Sequence, residues 1–229
     1  MLTRDSLKSG ALVDMVRAHD PELRVLSDNE RRATLDRVLH NWDGGDVWLF
    51  AYGSLIWNPA FHFAERRQGT VYGYHRQYCL WTPAGRGSQE FPGLMLGLER
   101  GGSCHGVAYR IRSDSVREEL DIVWRREMIT GAYRPVWSTL HNAANPVKVI
   151  AFVINRAHDR YAEKLAEDRI VNTLAYARGV IGSCSDYLFN TVDHLNELGI
   201  RDRQLNRLAA RVRQQLVDEP PLPDPTSAQ

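Results

Sequence analysis

The period of the hydrophobic pattern changes twice along the chain. Ser27-Asp28-Asn29-Glu30 has the form of a capping box, and Leu35, Val38, Leu39 and Trp42 follow it at helical spacing. Gly44-Gly45 ends that pattern, so residues 1–45 read as a helical N-terminal extension. From Val47 to Ile154 the apolar residues fall into short β-prone runs: Val47–Tyr52, Thr70–Thr82, Leu94–Glu99, Cys104–Ile111, Tyr133–His141 and Val147–Ile154. One helix, from Ser115 to about Met128, is embedded among them. Helical periodicity returns over Glu167–Arg178, Asp186–Leu198 and Arg201–Leu216, with Gly179 and Gly199 as stops. Strands grouped in the middle with helices at both ends predict an α+β fold rather than alternating βαβ units, with residues 46–218 as one domain. The Pro-rich, polar residues 219–229 predict a disordered tail.

Composition narrows the function classes. Lys+Arg 29 against Asp+Glu 28 gives no long-range attraction to nucleic acid or to an anionic membrane. No apolar run approaches the roughly 20 residues needed to span a bilayer, and MLTRDSLKSGALVDMV is too polar for a signal-peptide core. Three cysteines without C-x-x-C spacing suggest neither a disulfide framework nor a zinc ribbon, so a reducing cytoplasm is the expected location. The eight histidines are scattered without metal-binding spacing, and no cofactor motif is present.

Two segments carry candidate chemistry. In the embedded helix, Ser115 and Glu118 form a second capping-box pattern, and Val116, Leu120, Val123 and Glu127 fall on one narrow stripe. Glu127 thus occupies a core-facing position, where a carboxylate is costly to bury unless paired and where burial raises its pKa. It reads either as half of a structural ion pair with Arg126 or Arg134, or as a general acid/base. The second segment is VWLFAYGSLIWNP, a buried strand interrupted at Tyr52-Gly53-Ser54. That turn is either a tight strand exit or an anion holder built from backbone N–H groups and the Ser54 hydroxyl. It is not a P-loop, a G-x-G-x-x-G or a G-x-S-x-G elbow. Gly85-Arg86-Gly87-Ser88 predicts a mobile loop with a cationic tip, either solvated or suited to a ligand carboxylate.

Taken together, FAYGSLIW at 50–57, GRGS at 85–88 with Pro92-Gly93, GVAYR at 106–110, REMITGAY at 126–133 and YLF at 187–189 resemble the ChaC-like γ-glutamylcyclotransferases. The resemblance covers nearly the whole chain and is densest from Val47 to about Leu198. It implies a mixed, barrel-like β-sheet flanked by helices. It also implies an enzyme that converts glutathione into 5-oxoproline and cysteinylglycine without a cofactor. On this likeness Ala51, Tyr52, Gly53, Ser54, Leu55 and Ile56 hold the γ-glutamyl moiety, Glu127 is the proton acceptor, and Tyr187 lies near the substrate. Arg86 is the candidate for the distant glycine carboxylate. Ala51 stands where members usually have Gly, and Cys184 where an Asn often precedes the Tyr-Leu-Phe helix. Rival readings are a cyclotransferase for other γ-glutamyl amines and a non-catalytic γ-glutamyl-binding regulator of a cation transporter.

Overall fold

The computed structural model describes residues 2–142 and 145–218; the tail expected to be disordered, 219–229, lies outside them. Strand β1 (Val47–Ala51) is buried at all five residues, as its uninterrupted apolar run requires, since a strand covered on both faces does not alternate. β2 (Glu65–Thr82) and β3 (Gly93–Ile111) form a long antiparallel hairpin, and β4 (Tyr133–His141) and β5 (Val147–Ile154) form a second one. The order β1-β3-β2-β4-β5 closes into a barrel, with parallel pairing of β1 to β5 at Trp48↔Val149. The sheet is therefore mixed, as expected.

The central strands differ from the sequence pattern in two ways. Leu94–Glu99 and Cys104–Ile111 are one continuous strand, because Gly101 and Gly102 adopt φ of 94° and 70° and bend the chain without ending its pairing. β2 starts at Glu65, five residues before the expected Thr70, since Glu65 and Arg67 form a charged surface with Arg110 that hides the strand from a hydrophobicity count. Strand candidates at six places thus give five barrel strands.

Seven helices surround the barrel among the described residues: α1 (Arg4–Lys8), α2 (Ala11–His19), α3 (Asp28–Val38), α4 (Val116–Glu127), α5 (Glu167–Tyr176), α6 (Cys184–Glu197) and α7 (Arg203–Asp218). A two-stranded ribbon, β6 (Arg178–Gly179) and β7 (Gly182–Ser183), links α5 to α6. The first capping box forms as expected, with the Glu30 N–H donating to Ser27 Oγ and the Ser27 N–H donating to the Glu30 carboxylate. The second does not. Ser115 Oγ donates to the Arg112 carbonyl, while Glu118 accepts from Arg4 and Lys8 of α1 instead of turning back to its own helix.

The N-terminal extension belongs to the same hydrophobic core as the barrel, to which it contributes Leu7, Leu12, Val16, Leu26, Leu35 and Leu39. Its electrostatic anchor is Arg4, whose guanidinium pairs with Glu119 of α4, a carboxylate only 3% exposed. Glu119 also accepts from the His62 backbone N–H at 2.8 Å. Burial alone would raise the Glu119 pKa, but the hydrogen bonds from Arg4 and His62 outweigh it and hold the group below its ordinary value. A depressed carboxylate stabilises the fold above its unfolded pKa, and that contribution disappears as pH falls through the folded value. Arg4→Ala is expected to cost about 2–3 kcal/mol at neutral pH, the worth of a hydrogen bond to a buried charge. The loss should shrink in acid, where Glu119 is neutral, as measured by urea unfolding at both pH values.

Candidate active site

β1 leaves the barrel at Ala51 and enters a turn fixed at almost every residue. The Tyr52 carbonyl accepts from Arg76 Nε at 2.6 Å, and the Ile56 carbonyl accepts from the Tyr109 hydroxyl at 3.1 Å. Trp57 Nε1 donates to Thr191 of α6. Arg126, one residue before the end of α4, bonds the Asn58 carbonyl through Nη1 and Ser54 Oγ through Nη2, the latter at 2.7 Å. The turn is thus rigid and carries a guanidinium at its side, which suits an anion. Gly53 is required by space rather than by a left-handed φ: a Cβ there would lie 2.9 Å from Tyr187 Oη. The side chain of any other residue would displace the phenol.

Glu127 closes α4 directly beside this turn. The stripe beneath it, Val116, Leu120 and Val123, is buried as the periodicity predicts. Its carboxylate lies 3.1 Å from Arg126 Nε, and its side chain retains 15% exposure. Both readings of Glu127 are therefore partly realised: it is desolvated and it touches a cation. Arg126 is the cation that meets it, whereas Arg134 lies on β4 and is exposed. Burial dominates and raises the Glu127 pKa, with Arg126 opposing the shift.

Tyr52, Glu127 and Tyr187 line one cavity of about 190 Å³ together with Gly53, Ser54, Leu55, Arg86 and Arg126. That volume accommodates a small molecule rather than a single trapped water. Ala51 and Ile56 are buried outside the lining, where they support the turn from behind. Ala51 pairs with Val107 as an ordinary strand residue, so a methyl group is accommodated there. Burial pushes the Tyr187 phenol up to about 12, against the pull of Arg86, so it is a neutral donor at working pH. Tyr133 also faces the cavity, and its hydroxyl donates to the Leu96 carbonyl at 2.7 Å.

Arg86 is not the exposed tip that its glycine neighbours suggest. The β6–β7 ribbon packs directly on the loop, where a Cβ on Gly179 would meet the Gly85 carbonyl at 2.3 Å, while Gly87 lies against the start of β3, where a Cβ would meet the Gly93 backbone at 2.0 Å. The Ile181 N–H donates to the Gly85 carbonyl at 2.8 Å. Arg86 is turned inward, half-buried, with its guanidinium 5.2 Å from the Tyr187 ring and donating to the Ser183 carbonyl. Cys184 Sγ lies 3.2 Å from the Arg86 carbonyl and donates to it, so the thiol fastens this loop to the start of α6. All three cysteines are buried and unpaired.

Three contributors to the cavity escaped the sequence pattern. Arg126 reads from sequence only as a partner for Glu127, not as the clamp on the turn. Arg160 lies in the connection after β5, with no periodicity around it to mark it. Leu2, Leu12, Val16 and Leu23 of the N-terminal extension form an apolar wall over the cavity, and Asn58 Nδ2 donates to the Leu2 carbonyl at 3.0 Å. Apolar residues of this kind, Leu12 and Val16 on α2 and Leu2 and Leu23 outside the helices, look like ordinary core until the chain is folded. Among the described residues no cluster of three or more His, Cys, Asp or Glu could hold a metal ion, and no helix is long and apolar enough to cross a membrane.

This arrangement coincides with the results of comparison. The family model described as "ChaC-like protein" matches residues 47–215. The chain is 39% identical over 223 residues to the glutathione-specific gamma-glutamylcyclotransferase of Escherichia coli (strain K12), covering 96% of each chain. It is 31% identical to glutathione-specific gamma-glutamylcyclotransferase 1 of Mus musculus, over 69% of this chain and 75% of that one. The crystal structure of a yeast gamma-glutamyl cyclotransferase specific to glutathione superposes with a TM-score of 0.67, covering 74% of this chain and 96% of that one at 18% identity, a likeness of fold. With a turn, a desolvated glutamate and a closed mixed barrel in common with the residues that define the resemblance, the chain belongs to the ChaC-like protein family.

Proposed function

We propose that this protein is a glutathione-specific γ-glutamylcyclotransferase, cleaving glutathione to 5-oxoproline and cysteinylglycine. The observation that carries the mechanism is the placement of a desolvated carboxylate, Glu127, at the rim of a cation-flanked turn within one cavity. A pure binding site for a γ-glutamyl group has no use for a buried base.

In this reading the turn at Tyr52-Gly53-Ser54-Leu55 holds the γ-glutamyl end, with Ala51 and Ile56 fixing its backbone. Arg126 and Arg86 supply positive charge for the α-carboxylate. The substrate's α-amine attacks its own γ-carbonyl, a C–N bond forms to close the five-membered ring, and the bond to the cysteine nitrogen breaks. Glu127 takes a proton from the attacking amine and returns one to the leaving nitrogen, so no water is consumed and the carboxylate is regenerated. Because the nucleophile and the carbonyl belong to one molecule, holding the reactive conformer is a large part of the enzyme's task. Tyr187, neutral and pressed against Gly53, is placed to donate to the developing oxyanion. The raised Glu127 pKa suits both proton transfers, since a carboxyl that binds its proton more tightly is the better base. Three unpaired thiols and a glutathione substrate favour the reducing cytoplasm as its compartment.

Glu127→Gln is expected to fold, since the amide oxygen can still face Arg126, and to lose roughly 10²- to 10⁴-fold in kcat. A folded variant with near wild-type turnover in a 5-oxoproline assay would overturn the assignment.

The pH dependence follows from burial. Catalysis needs the carboxylate ionised, so kcat/KM should fall as pH drops through the raised pKa, with a limb above the ordinary Glu value of about 4.3. Replacing Arg126 by Met removes the influence that opposes the shift and should move the limb to still higher pH. A wild-type limb at or below the ordinary value would show that charge pairing, not desolvation, governs Glu127.

Ring closure also fixes the substrate. N-acetylated glutathione lacks a nucleophile and the α-linked peptide Glu-Cys-Gly lacks a γ-amide, so both should be inert. Turnover of glutathione in ¹⁸O-water should leave 5-oxoproline unlabelled. Release of labelled glutamate would identify a hydrolase instead.

A further inference from the structure

The cavity has a second polar end that the ring-closing chemistry does not use. Arg160 lines it, held by a bond from Nη2 to the Thr130 hydroxyl and by its own backbone N–H donating to His158 Nδ1. Its Nε is buried without a hydrogen-bond partner, one of only two such side-chain atoms among the described residues. No carboxylate among the described residues forms an ion pair with it; Asp20 of the N-terminal extension acts on it only electrostatically. A desolvated guanidinium left without an anion is expensive. A bound carboxylate would remove that cost, and a guanidinium can take one bidentately.

The three cavity arginines divide between two ends. Arg126 is bonded to Ser54, and Arg86 stands over Tyr187 and 6.0 Å from the Trp57 ring, so both flank the turn. Arg160 is bonded instead to Thr130, beyond the end of α4, in surroundings shared with Tyr133 and the wall made by Leu12, Val16 and Leu23. Glutathione likewise has two carboxylates, one on the γ-glutamyl residue and one on glycine, separated by an uncharged middle.

We propose that Arg160, rather than Arg86, receives the glycine carboxylate of glutathione and sets the preference for that tripeptide over γ-glutamyl amides lacking a charge there. The N-terminal extension closes this distal subsite and keeps it dry, which strengthens the ionic contact. This assignment rests on the cyclotransferase reading above.

The test compares glutathione with its glycinamide analogue, which differs only in lacking the terminal charge, by release of 5-oxoproline. Wild-type protein is expected to favour glutathione by about 10-fold or more in kcat/KM, the usual worth of a hydrogen bond to a charged group. In Arg160→Met that preference should collapse toward one, and Arg160→Lys should restore part of it. Equal use of both substrates by the wild type would overturn the proposal while leaving the cyclotransferase reading intact; this comparison needs no variant to fold. A folded Arg160→Met protein that keeps the wild-type preference would also overturn it. Absence of 5-oxoproline from both substrates would instead refute the cyclotransferase reading and the distal subsite with it.

Discussion

The site is organised around one guanidinium. Arg126 joins Ser54, the Asn58 carbonyl and Glu127, so the end of α4 and the turn after β1 are held as one unit although they are far apart in sequence. Its side chain is 7% exposed, and a cation that dry must be fully used or it destabilises the fold. Here each of its arms meets an oxygen. The geometry between the turn and Glu127 is therefore fixed by one side chain.

The same contact sets the balance at Glu127. Desolvation raises the carboxylate pKa and the adjacent arginine limits the rise. A fully paired carboxylate would be too weak a base, and an isolated buried one would stay protonated at working pH. The surrounding phenols of Tyr52, Tyr133 and Tyr187 remain neutral through burial, so they offer polarity without competing charge.

The N-terminal extension belongs to this design rather than to its periphery. Arg4 ties it to Glu119 on the helix that carries Glu127, while Leu2, Leu12, Val16 and Leu23 complete the cavity wall. Folding of the extension and completion of the site are thereby coupled through α4 and through the bond from Asn58 to the Leu2 carbonyl.

What the sequence determined by itself was whatever depends on near neighbours. The stripe of Val116, Leu120 and Val123 leading to Glu127, the interrupted strand at Tyr52-Gly53-Ser54, the Ser27 capping box and the α+β grouping all follow from periodicity and backbone chemistry within a few residues. The resemblance then joined Glu127 and Tyr187 to the turn, with Arg86 the candidate for the distant glycine carboxylate. Only the tertiary structure decided which distant groups meet. Glu118 left its own capping box for Arg4 and Lys8, and the runs Leu94–Glu99 and Cys104–Ile111, separate in the sequence pattern, joined into one strand through Gly101-Gly102. Arg86 turned inward over Tyr187, where its flanking glycines had left a solvated tip and a carboxylate-binding one both open. Arg126 became a clamp and Arg160 an unpaired cation. The reason is physical: a charged side chain's role is fixed by the partners and the dielectric around it, and both come from segments brought together by the closed barrel, not from the residues beside it in the chain.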